Sequence, residues 1–150
     1  MTRRALLLAA GALAAGAVRL RADAAGDVWD LLASVASALV NGNISQFMSA
    51  FDEAMPGIDE LRANVTALVR EVSAQSSIEP ATNEGDERSR KVEVDWLLIL
   101  VDPETDGSVA RRQQRVACRL AKSGRKWRIT AFDPVSLFAP PAQKERRNPR

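Results

Sequence analysis

The chain has 150 residues, with 21 Lys and Arg against 19 Asp and Glu, one cysteine, and neither His nor Tyr. A single cysteine excludes an intramolecular disulfide and a zinc site built on thiolates. The absence of histidine removes the commonest general base and the commonest metal ligand, and the length fits one globular domain.

The first residues read as a leader. "MTRR" is a basic start, and "ALLLAAGALAAGAV" (5–18) is an apolar run of 14. Spanning a bilayer takes about 20 such residues. Ala22-Asp23-Ala24 then offers a small-x-small cleavage site, so 1–24 is expected to be a signal peptide and the protein to be exported to the periplasm or beyond, with no transmembrane anchor after its removal. The stretch Thr2-Arg3-Arg4-Ala5-Leu6-Leu7, with its mildly hydrophobic Ala- and Gly-rich run and with Arg19 and Arg21 after it, resembles the twin-arginine signal. That resemblance implies folding before export.

The net charge of +2 is carried by the ends. Eight of the 21 basic residues lie in the leader or in the tail "APPAQKERRNPR", as do Asp23 and Glu145 of the 19 acids, so 27–138 holds 13 bases against 17 acids, a net of about −4. Such a body has no basic surplus with which to hold a phosphate backbone, which argues against a nucleic-acid partner. The tail, 139–150, reads as a disordered basic extension.

Helical spacing of Val28, Leu31, Leu32, Val35 and Leu39 predicts a first helix over Asp27–Val40, with Asp27 as N-cap and Gly42 as terminator. Asn43 and Gln46 form a capping-box pattern for a second helix that carries Ile44, Phe47, Met48, Phe51 and Met55 on one face and ends at Pro56-Gly57. Ile58, Leu61, Val65, Leu68, Val69 and Val72 mark a third, strongly amphipathic helix.

The period then becomes two. "SAQSSIEPA" predicts a weak strand, "NEGDERS" a loop, "RKVEVDWLLILV" a strong strand ended by "DPETDG", "VARRQQRVACRLA" a third strand, and "KWRITAFDP", after the turn "KSG", a fourth. Compact turns between consecutive strands argue for an antiparallel meander. Alternation puts Val92, Val94, Trp96, Leu98 and Leu100 on one face with Val116, Cys118, Leu120, Trp127, Ile129 and Ala131, and the helices are expected to cover that face. Glu93, Asp95, Arg115, Arg119, Arg128 and Thr130 fall on the other. Leu97, Ile99 and Val101 lie there too although apolar, which points either to a homodimer contact or to a β-bulge that reverses the alternation.

The predicted class is therefore α+β: three N-terminal helices on a curved four-stranded antiparallel sheet. The element order, the second helix "NGNISQFMSAFD" and the closing strand "GRKWRITAFDP" together resemble the nuclear transport factor 2-like superfamily, whose members form a cone over a pocket. The resemblance covers 27–138. It implies that the last strand is a central one, with Trp127 plugging the core. Many members carry a hairpin between the second and third helices, whereas here Pro56-Gly57 leads straight on. The superfamily includes ketosteroid isomerase and scytalone dehydratase, which rely on Asp, His and Tyr groups. Without His or Tyr that machinery does not transfer.

A lone carboxylate base is the chemistry still open to such a chain, because burial can raise its pKa. Asp52 is the foremost candidate; Asp95 reads as an ion-pair partner and Asp133 as a turn residue. Trp29, Phe51, Trp96 and Trp127 are candidate walls of a ligand site. No cofactor and no metal site is implied. Three readings follow: a non-catalytic exported cone that binds a small apolar ligand or a protein as a homodimer; a single-carboxylate isomerase, lyase or hydrolase; and an accessory module of an envelope complex. A cavity holding an unpaired carboxylate would favour the second, and a cone sealed by Trp96 and Trp127 the third.

Overall fold

The computed structural model describes residues 24–142, 145 and 146. The expected signal peptide falls on residues outside that range, apart from Ala24. Helix α1 covers 24–40, α2 runs Ile44–Ser49 and α3 runs Ile58–Glu71. The strands are β1 (Ser73–Gly85), β2 (Ser89–Val101), β3 (Ser108–Ser123) and β4 (Lys126–Asp133), followed by a 3-10 turn, Val135–Phe138. They form one antiparallel sheet in the order β1-β2-β3-β4.

α1 buries Val28, Leu32, Val35 and Leu39, the spacing read from the sequence. It is already helical at Ala24, so Asp27 is an exposed residue inside the first described turns and not an N-cap. The helix closes at Gly42, whose φ of 66° suits a residue without a β-carbon. Asn43 N–H reaches Ala38 O at 2.9 Å and Gly42 N–H reaches Leu39 O at 3.1 Å, the paired bonds of a Schellman end.

Asn43 then caps α2, its Oδ1 accepting from Gln46 N–H at 3.0 Å. The helix stops at Ser49, well short of Met55. The spacing of Phe51 and Met55 continues a helix, but Ala50 O accepts from Ile129 N–H and Asp52 N–H donates to Ile129 O, both at 2.8 Å. Tertiary pairing of Phe51 with Ile129 thus ends the helix and makes one parallel bridge beside β4. As the sequence suggested, no strand hairpin stands between α2 and α3 among the described residues.

On β2, Val92, Val94, Trp96, Leu98 and Leu100 are all fully buried, and the alternation runs unbroken. The bulge explanation for Leu97, Ile99 and Val101 is therefore corrected: these three do face outward, half-buried between neighbouring strands. The bulges lie elsewhere, at Ala81 on β1, Val109 on β3 and Thr130 on β4, where the register shifts by one. The β4 bulge turns Phe132 inward (6 % exposed) in place of the expected Ala131. β4 is an edge strand and not a central one, since a meander in chain order leaves its last strand at the margin. The first strand is also longer than its polar sequence suggested, because it pairs along the whole of β2.

The core between helices and sheet is aromatic at its centre. Phe138 meets Phe47 and Trp96 edge to face, with ring centroids 5.1 and 5.3 Å apart, and lies 5.4 Å from Phe132. Phe51 stacks on Phe47 at 5.3 Å and meets Phe132 at 5.8 Å. Phe138 arrives from the turn after β4. Arg112 holds that turn: its Nη1 donates to Leu137 O and Ala139 O at 2.7 and 2.6 Å, and its Nε and Nη2 grip Glu145 at 2.9 Å. Pro141 is buried and Arg146 meets Glu71 at 3.1 Å, so the described part of the 139–150 stretch carries contacts with the body.

Candidate functional site

In a cone of this kind a site would lie in the interior. Five rings, Phe47, Phe51, Trp96, Phe132 and Phe138, fill it, and each is at most 6 % exposed. Trp96 also spends its polar edge there, Nε1–H donating to Ser76 Oγ at 2.8 Å. Among the described residues no polar or charged side chain is buried. A general base inside such a cone needs a carboxylate drawn out of water, and none is present among them. Nor, among the described residues, do three or more acidic, Cys or His side chains gather as a metal site.

A concavity runs along the start of β4. It is an open groove of about 900 Å³. Leu31, Met48, Ala50, Phe51, Ile58 and Trp127 supply its apolar lining. Asp27 and Asp30 stand on the α1 wall, and Arg125, Lys126 and Arg128 on the β3–β4 hairpin, with Glu53 and Arg62 between. Arg62 is drawn toward Asp59 at 3.6 Å. The remaining charges of the groove form no ion pair with one another among the described residues. The two α1 acids and the three hairpin bases thus line one groove without forming ion pairs with one another among the described residues.

The expected ligand residues divide. Phe51 and Trp127 line the groove at its floor, although only 2 % and 8 % exposed. Trp96 belongs to the packed interior, and Trp29 is half-buried on α1 away from the groove lining. Asp52 is not in the groove either: its Oδ1 accepts from Ala54 N–H at 2.7 Å and shapes the turn after the Phe51 bridge. Asp95 is the ion-pair partner foreseen. Arg115 Nε and Nη2 donate to it at 2.6 and 3.2 Å, with Glu93 3.8 Å away, and these hydrogen bonds hold the Asp95 carboxyl below its usual value. Asp133 is exposed ahead of Pro134. Cys118 is packed inside the sheet, where burial pushes its thiol up to about 12 and makes it a poor nucleophile.

Trp127 has one further property. Its indole Nε1 is buried without a hydrogen-bond partner among the described residues. An unmet buried donor costs about 1–3 kcal/mol. The basic hairpin wall and the α1 acids were not legible as a site, because the sequence places them about a hundred positions apart with ordinary surface spacing.

No protein-family model and no curated protein matches the chain. Solved structures do. A conserved protein from Planctomyces limnophilus superposes with a TM-score of 0.64 at 11% identity, over 71% of this chain and 90% of that one. A nuclear transport factor 2-like protein with a cystatin-like fold from Novosphingobium aromaticivorans gives 0.60 at 14% identity, over 79% and 84%. A ketosteroid isomerase-like protein from Erwinia carotovora atroseptica gives 0.59 at 13% identity, over 72% and 92%. Three helices on a four-stranded antiparallel meander, closed by an inward aromatic strand end, thus make the cystatin-like fold of the nuclear transport factor 2-like proteins, and this chain has that fold.

Proposed function

We propose that the chain is an exported, non-catalytic binding domain of this fold, which engages its partner on the outside of the cone and acts as a homodimer. The observation that supports the reading most is the filled interior. Where an enzyme of this shape needs a cavity with a titratable group, five aromatic rings meet, and Trp96 is hydrogen-bonded among them. A small apolar ligand inside the cone would have to displace a ring. This favours the role of accessory module over that of single-carboxylate enzyme, and the groove beside β4 is the surface offered.

Leu97, Ile99 and Val101 support the homodimer. They form an apolar spine on the outer sheet face, flanked by Ser73, Gln75 and Ser77 on β1 and by Arg111 and Gln113 on β3. Uncharged side chains on one side of an apolar row let a second sheet approach without burying a charge. Export rests on the leader pattern in 1–24.

Native mass spectrometry of protein purified from its own envelope tests all three parts together. The reading expects a dimer of chains lacking 1–24, without a bound small molecule in the cone. A monomer with 1–24 intact would overturn the export and dimer parts. Turnover of a ketosteroid substrate, abolished by Asp52→Asn, would overturn the non-catalytic part.

A further inference from the structure

β4 is an edge strand that is only half covered. Ile129 directs its N–H and C=O away from β3 and spends both on Ala50 and Asp52. In an antiparallel pair, main-chain groups two residues apart on one strand point the same way. The register between β3 and β4 is regular from Lys126 to Ile129. The N–H and C=O of Trp127 therefore also point away from β3, along the line on which Ala50–Asp52 lies. The covering segment has turned into α2 by that point, since Ser49 is helical. Among the described residues no main-chain group outside the sheet and no side chain meets those two groups. The groove lies alongside them.

We infer that this groove takes an extended peptide of a partner protein, which adds to β4 at Trp127 and carries the alternation acidic–cationic–acidic. The inference rests on the reading of the groove as the binding surface. Strand addition supplies the main-chain pair that Trp127 lacks. The side chains follow from the pleat. The peptide residue opposite Trp127 shares its face, and the residues before and after share the face of Lys126 and Arg128. Glutamates there meet Lys126 and Arg128, which form no ion pair among the described residues. On the Trp127 face the groove is walled by Asp27 and Asp30 over an apolar floor of Leu31 and Met48. A lysine fits that position best, its stem covering the floor and its ammonium reaching the α1 carboxylates. An all-acidic peptide would meet Asp27 and Asp30, and an all-basic one Lys126 and Arg128.

The test titrates the full chain, followed by amide NMR, with the peptide Thr-Glu-Lys-Glu-Thr and with its sign-reversed counterpart Thr-Lys-Glu-Lys-Thr, both blocked at their ends. The first probe should shift the amides of Lys126, Trp127 and Arg128 and slow hydrogen exchange at Trp127. It should bind at least about tenfold more tightly than the second, with an advantage that shrinks as salt is added. The double variant Lys126→Glu with Arg128→Glu should invert the preference, an outcome that misfolding cannot produce. Equal binding of the two probes, or binding that leaves Trp127 exchange unchanged, would overturn the peptide inference while leaving the groove a binding surface. Binding by neither probe would overturn it as well. A Trp127 amide already protected in the free dimer would assign the edge to a second copy of this chain and also sink the proposal. None of these outcomes bears on the cone interior or on turnover, which the native mass and the Asp52→Asn assay address separately.

Discussion

Phe138→Ala probes the filled cone directly. The ring is fully buried and touches three of the other four rings of the interior, Phe47 and Trp96 edge to face and Phe132 at 5.4 Å. Truncating a buried Phe to Ala costs about 3–5 kcal/mol, combining lost transfer energy with the cavity left behind. The upper half of that range applies here, because each edge-to-face pair adds about 0.5–1.5 kcal/mol beyond its area. For a domain of this size the thermal midpoint should fall by roughly 10–20 °C. Urea unfolding followed by tryptophan fluorescence measures the loss as a change in midpoint at constant slope. The new space is lined by aromatic carbon and should stay dry and accept benzene, which would raise the midpoint of the variant and not that of the parent. A loss below about 1 kcal/mol, or benzene stabilising the parent equally, would refute the claim that Phe138 fills the cone.

Three further outcomes are expected. Arg112→Ala should cost about 2–3 kcal/mol, since hydrogen bonds to a charged group are the strong ones, and should open cleavage after Phe138 in limited proteolysis while the body stays intact. Glu145 is held below its ordinary value of 4.5, chiefly by its hydrogen bonds from Arg112. Its folded pKa is the lower one, so its contribution is present above about pH 4.5 and is lost as pH falls through the folded value; Glu145→Gln should flatten the acid limb of a stability–pH curve in that window. Cys118, with a thiol pushed up to about 12 and a fully packed side chain, should resist iodoacetamide at pH 8 in native protein and react on unfolding, as read by intact mass.

The parts of the fold that were legible in sequence are those where a local signal and the tertiary structure agree. The five apolar positions Val92 to Leu100 alternate without interruption, and the sheet honours every one. Asn43 caps α2 as its side chain allows. The misreadings have a common cause, which is pairing with something distant. Phe51 and Met55 keep helical spacing, yet the main chain of Ile129 pulls Ala50–Asp52 out of the helix. Ala131 fits the period, yet one extra residue at Thr130 hands its place to Phe132. Phe138 follows a proline in a four-residue turn, too short for any periodicity to mark it as core. The groove is not legible in sequence for the same reason: its acids sit on α1 and its bases on a hairpin that only the fold brings to one groove.

The central claim is that the cone is closed around its rings. Hydrogen exchange at the Trp96 indole Nε1–H tests it most directly, because that proton is bonded to Ser76 beside Phe132 and Phe138. A closed cone exchanges this proton only through global unfolding, so its free energy of exchange should equal that from urea unfolding. Exchange faster by orders of magnitude, at a free energy well below the global value, would show an opening cone and contradict the account.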